Sequence, residues 1–210
     1  MGPIRLLIVS LAVSAIAAEV PLDDVLHGIE THYNRAQTLQ VLFKYDYSAP
    51  GRPQRTESGI LMLRKPLRMR WDYAKPQGKL YVGDGKNLWL YTPADNRVEK
   101  TSMKETADMR APLAFLLGKL NFKKDFQNLK ATPEGSGERI TGEPKGENLP
   151  YSQVEFVVNG DHQIREVKVV GFDKSIMDFT FDQERMDPKL DGKLFQFQPP
   201  KGAEVVEGGQ

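Results

Sequence analysis

The chain has 210 residues, 40% of them hydrophobic, with 29 basic and 28 acidic side chains and a formal net charge of +1. A charge this balanced creates no field that favours nucleic acid or bulk anionic membrane. The absence of cysteine excludes disulfides, thiolate metal sites and cysteine nucleophiles.

Residues 1–18 read as a signal peptide. Arg5 is the lone charge ahead of an apolar run, 6–18, broken only by Ser10 and Ser14, and Ala15-Ile16-Ala17 matches the small-x-small pattern of a cleavage site. The run is too short for a bilayer core, which takes about 20 apolar residues. A buried helix would carry a polar stripe, and none appears before Glu19. Leu6 stands where myristoylation needs Ser or Thr. The expectation is an exported, unanchored protein whose single domain spans residues 19–210. That is long enough to bury a real core.

The first element predicted in that domain is a helix over 22–37. Pro21 sits at its entrance, Asp23 and Asp24 favour its positive end, and Leu22, Val25, Leu26, Ile29, Tyr33 and Ala36 fall on one face at helical spacing. The period then changes to two. Residues 39–47, 56–64 and 67–73 read as strands, with Phe43 and Tyr45, Leu61 and Leu63, and Met69 and Trp71 as alternating apolar positions. Strands at 79–82 and 87–92 flank Gly83-Asp84-Gly85-Lys86, a hairpin signal because Asp-Gly tolerates positive φ. A strand at 96–101 precedes a greasy helical stretch, 104–120, containing Leu113, Leu116 and Leu117. Strands resume at 122–130, 138–142, 151–159, 163–170, 175–181 and 194–197. The reading is mainly β with helices: about ten or eleven short antiparallel strands, in a sandwich or barrel, with two apolar helical pieces to cover the sheet.

Catalytic signatures are missing. His27 and His32 fall on different helix faces, and Asp23 or Asp24 with His27 has the spacing of an ordinary solvated face. No G-x-S-x-G, H-E-x-x-H or phosphate loop occurs. Asp72 and Asp84 are the carboxylates a glycosidase reading would use, with nothing to fix their separation. No metal site or cofactor is expected. Arg68 and Arg70 alternate away from Met69 and Trp71, toward solvent. Lys65 shares the parity of Leu61 and Leu63, where a cation is costly unless partnered. Two readings stay open for it: snorkelling to the rim, or a contact to backbone carbonyls of a covering helix.

The block Arg64-Lys65-Pro66-Leu67-Arg68-Met69-Arg70-Trp71, the hairpin Asp84-Gly85-Lys86-Asn87-Leu88-Trp89-Leu90-Tyr91-Thr92-Pro93, the stretch Pro112-Leu113-Ala114-Phe115-Leu116-Leu117 and the ending Phe195-Gln196-Phe197-Gln198-Pro199-Pro200-Lys201-Gly202 together resemble the LolA family of periplasmic lipoprotein carriers. The resemblance covers residues 22–206 in the family's order. It implies an unclosed, curved antiparallel half-barrel under a helical lid, with a hydrophobic cavity. It implies acylated lipoproteins as cargo, an inner-membrane lipoprotein-releasing ABC transporter as donor and an outer-membrane receptor lipoprotein as acceptor. The carrier is expected to be periplasmic, monomeric, non-enzymatic and independent of nucleic acid. The predicted cavity wall is Phe43, Tyr45, Leu61, Leu63, Met69, Trp71 and Trp89. The predicted lid residues are Leu26, Ile29, Leu113, Leu116 and Leu117. Lys65 stands where the family carries a latch Arg, and it lacks that residue's planar fork. The alternatives are a related half-barrel serving another lipid or envelope stress sensing, an interaction module, and a hydrolase.

Overall fold

The computed structural model describes residues 21–103, 119–146 and 149–208. Helix α1 (Leu22–Arg35) has Asp23 and Asp24 in its first turn and His32 and Arg35 in its last, the arrangement that complements a helix dipole. It buries Val25, Leu26, Ile29 and Tyr33. It stops two residues before the predicted end. The Asp187 Oδ1 accepts from the backbone N–H groups of Gln37, at 2.7 Å, and Thr38, at 3.2 Å, which turns the chain directly into a strand.

Twelve strands follow among the described residues: β1 (Thr38–Ala49), β2 (Arg52–Arg64), β3 (Arg68–Lys75), β4 (Leu80–Asp84), β5 (Asn87–Thr92), β6 (Arg97–Ser102), β7 (Phe126–Glu134), β8 (Gly137–Pro144), β9 (Tyr151–Val158), β10 (Ile164–Gly171), β11 (Ile176–Met186) and β12 (Glu204–Glu207). They form one sheet in the order β12-β6-β5-β4-β3-β2-β1-β11-β10-β9-β8-β7. Every pairing is antiparallel except β12 with β6. The terminal strands β12 and β7 do not pair, so the sheet is unclosed.

Three elements depart from the predicted assignment. Residues 122–125 are one helical turn, α2 (Phe122–Asp125), because the Asn121 side chain caps it by accepting from the Lys124 N–H at 3.0 Å. Residues 192–195 form a 3-10 turn (Gly192–Phe195) capped by Asp191, where a strand was predicted at 194–197. The short β12 was not predicted; it is held by its parallel register with β6, Val205 facing Val98.

Both faces of the sheet are partly covered. On the inner face, α1 joins one apolar cluster that runs from Tyr81 and Leu88 in β4 and β5 to Ile140 and Phe156 in β8 and β9. The outer face of β2–β6 lies under the C-terminal segment. There Met62, Val82, Val98 and Phe195 are buried, Phe197 lies 5.7 Å from Trp89 between ring centroids, and Arg70 Nη1 donates to the Leu194 carbonyl at 3.1 Å. Beyond β11 the outer face is polar: Arg139 bridges Glu134 and Glu155, and Lys168 approaches Glu155 and Glu166.

Candidate functional site

The inner face is built by strand alternation. Buried inner residues of neighbouring strands meet across the ladder, Leu63 against Met69, Leu61 against Trp71 and Trp71 against Tyr81. Phe43 packs edge-on to Trp71 at 4.7 Å and to Tyr73 at 5.2 Å, while Tyr45 stacks on Phe179 at 4.7 Å. Such aromatic pairs add about 0.5–1.5 kcal/mol each beyond their buried area. Phe43, Leu61, Leu63, Met69 and Trp71 are buried within this cluster, and half-buried Tyr45 packs on its edge. Leu26 and Ile29 reach the same cluster from α1. Leu113, Leu116 and Leu117 lie outside the described residues.

Trp89 is a correction to the predicted wall. Its strand neighbours Leu88 and Leu90 belong to the inner cluster, so Trp89 faces outward, against Phe197. Its Nε1 donates to Asp84 Oδ2 at 2.9 Å. Alternation could not choose a side, because both faces of β5 are apolar. Arg70 is corrected too. It forms a fork with Asp72, Nε to Oδ2 at 2.8 Å and Nη2 to Oδ1 at 2.9 Å, under the C-terminal segment, where solvent was expected. Both carboxylates weighed for glycosidase chemistry are thus engaged in holding structure.

What fastens α1 is polar and lies mostly at its C-terminal end. Lys65 Nζ donates to the Tyr33 carbonyl at 2.7 Å; of the two readings left open for this side chain, the geometry is the carbonyl contact. Burial depresses its pKa, partly offset by the charge of Asp187. Tyr33 also donates its hydroxyl to Glu184 Oε2 at 2.6 Å and accepts from the Ile164 N–H at 2.8 Å. His32 Nε2 lies 2.7 Å from Glu184 Oε1. Burial first, and then the carboxylate beside it, raises the Tyr33 hydroxyl well above its ordinary pKa, so it stays a proton donor. Gly28 brings the helix so close to His162 that a Cβ would meet the imidazole ring at 2.2 Å.

A second set of contacts ties α1 to the segment before α2. Asn34 pairs with Leu120 twice, Nδ2 to the carbonyl at 2.9 Å and Oδ1 from the N–H at 2.7 Å. Glu30 Oε1 accepts from the Phe122 N–H at 2.8 Å. Glu184 and Asn34 escaped the sequence reading. A carboxylate 151 positions from Tyr33 leaves no local pattern, though a polar residue beside the apolar face of α1 was a signal for Asn34.

Between α1 and the sheet, Tyr33, Leu39, Val41, Leu61, Ile164, Phe181 and Glu184 enclose a crevice of about 10 Å³. That is room for about one water and far less than an acyl chain requires. Here the helix is shut onto the sheet. Among the described residues no group of three or more His, Asp or Glu side chains is placed to hold a metal.

The inner face is thus an apolar surface shut beneath a helix that hydrogen bonds fasten. The family model described as outer membrane lipoprotein carrier protein LolA matches residues 34–198, and the chain belongs to this family. It is 27% identical to an outer-membrane lipoprotein carrier protein of Chromobacterium violaceum, covering 99% of this chain and 100% of that one. It is 29% identical to one from Methylibium petroleiphilum, covering 96% and 97%. Among solved structures, an uncharacterized conserved protein from Thermus thermophilus matches with a TM-score of 0.52 at 14% identity, covering 89% of this chain and 98% of that one. A LolA superfamily protein from Nitrosomonas europaea matches with a TM-score of 0.47 at 11% identity, covering 85% and 99%. The function is that of an outer-membrane lipoprotein carrier, a periplasmic and non-enzymatic role.

Proposed function

We propose that the protein holds the acyl chains of lipoproteins against its inner face, beneath α1, and ferries them across the periplasm. The need is physical. Each methylene kept from water is worth about 0.8 kcal/mol, so one chain of about 14 methylenes resists exposure by roughly 11 kcal/mol. A carrier must match that apolar contact and still release its cargo without fuel. The observation that carries the reading is an apolar face closed under α1 by hydrogen bonds at the helix's C-terminal end, chief among them, for the described residues, Lys65 Nζ to the Tyr33 carbonyl. When empty, the helix buries its own apolar stripe; when loaded, the acyl chains replace it. Lys65 acts as the latch of the empty state, with Leu26 and Ile29, and Leu113, Leu116 and Leu117, as lid. Cargo arrives from an ATP-driven lipoprotein extractor in the inner membrane and leaves to a receptor lipoprotein in the outer membrane. Residues 1–18 direct export.

The test is depletion of the protein in its host, followed by membrane fractionation. Outer-membrane lipoproteins accumulating in the inner membrane support the reading. Unchanged sorting contradicts it.

A further inference from the structure

We propose that the Trp71 indole N–H is a hydrogen-bond donor for the ester carbonyl at the head of an acyl chain held on the inner face. This rests on the carrier reading and names the polar contact of the same site. Trp71 is only 2% exposed, and its Nε1 has no acceptor among the described residues. Buried donors in folded proteins are nearly always paired, and one left unmet is a standing cost. The chain's other tryptophan obeys the rule: Trp89 Nε1 is satisfied by Asp84.

The side chains around Trp71 are mainly aromatic and aliphatic. Phe43 lies edge-on at 4.7 Å and Phe179 at 5.9 Å, and Leu61 stands opposite on β2. A phenylalanine would serve a purely apolar wall without the cost of the N–H. Apolar pockets fix ligand orientation with a small number of polar groups, and the ester carbonyl is the acceptor nearest the hydrocarbon of an O-acyl chain. A donor at Trp71 therefore sets where the head of the chain stops, with its methylenes running along Phe43, Tyr45 and Phe179.

The experiment compares two probes on the intact protein. One is a cysteinyl peptide carrying a di-O-palmitoyl glyceryl group and no N-acyl chain; the other is its di-O-hexadecyl ether analogue, equal in chain length but with a methylene in place of each carbonyl. Affinities are read by displacement of a fluorescent fatty acid. The wild-type protein is expected to prefer the ester by about three- to tenfold, the worth of one hydrogen bond, and Trp71→Phe to bind both alike. The wild-type comparison stands even where the variant folds poorly. Equal wild-type affinities, or an undiminished preference in a folded Trp71→Phe, overturn the assignment while leaving the carrier reading intact. Failure of the wild type to bind either probe overturns both.

Discussion

Replacing Lys65 with methionine keeps an unbranched stem of similar length and deletes the ammonium. The Tyr33 carbonyl is then left with the Ala36 N–H at 3.3 Å in place of a charged donor at 2.7 Å. A hydrogen bond to a charged group contributes about 1.5–3 kcal/mol. Burial of the ammonium, which depresses its pKa, offsets part of that. A net of about 1.4 kcal/mol is a tenfold change in the balance between a shut and a lifted α1. Two readouts follow that increase. Amide exchange across α1 should quicken about tenfold relative to the β9–β10 ladder, and an apolar fluorescent dye should bind the empty protein more tightly. Lys65→Arg, which keeps the charge and adds donors, should slow exchange in α1. If Lys65→Met leaves both dye binding and α1 exchange at wild-type values, the contact fastens nothing and the latch argument fails.

Glu184→Gln leaves the His32 and Tyr33 contacts with a weaker, uncharged acceptor; chemical denaturation should show a loss of about 1–3 kcal/mol, and no loss would mean the triad contributes little. Trp89→Ala removes an outward ring that packs on Phe197, so the melting temperature should fall while acyl-peptide affinity stays put. A fall in affinity would return Trp89 to the inner wall. Asp187 is held below the usual carboxylate range by the Gln37 and Thr38 N–H groups. A depressed folded pKa contributes stability above the unfolded value, about 3.9, and loses it as pH falls through the folded one. The stability gap between wild type and Asp187→Asn should therefore be widest near neutral pH and close below about pH 4; a gap constant with pH contradicts this.

Much of the scaffold was legible because its signals are local. The apolar positions of α1 lie at helical spacing, and Asp84-Gly85 marks the β4–β5 turn, where Asp84 Oδ1 accepts from the Lys86 and Asn87 N–H groups. Parity placed Phe43, Met69 and Trp71 on one face because β1 and β3 largely alternate apolar with polar; Leu61 and Leu63 share that face through their register with β3, although Ile60 and Met62 make β2 apolar on both sides. It misled at Trp89 because β5 is apolar on both sides, one facing α1's cluster and the other the C-terminal segment. Residues 122–125 were read as strand from Phe122 and Phe126, and the capping by Asn121 outweighed that pattern. The triad of His32, Tyr33 and Glu184 joins positions about 150 apart, a contact that only the β1–β11 pairing creates.

The central claim is that acyl chains lie on the inner face. A photoreactive benzoylphenylalanine placed at Tyr45, on that face, or at Trp89, on the other, and irradiated with a radiolabelled diacyl lipopeptide, tests it most directly. The account predicts a labelled adduct at Tyr45 and none at Trp89. Labelling at Trp89 alone, or at both positions equally, would contradict it.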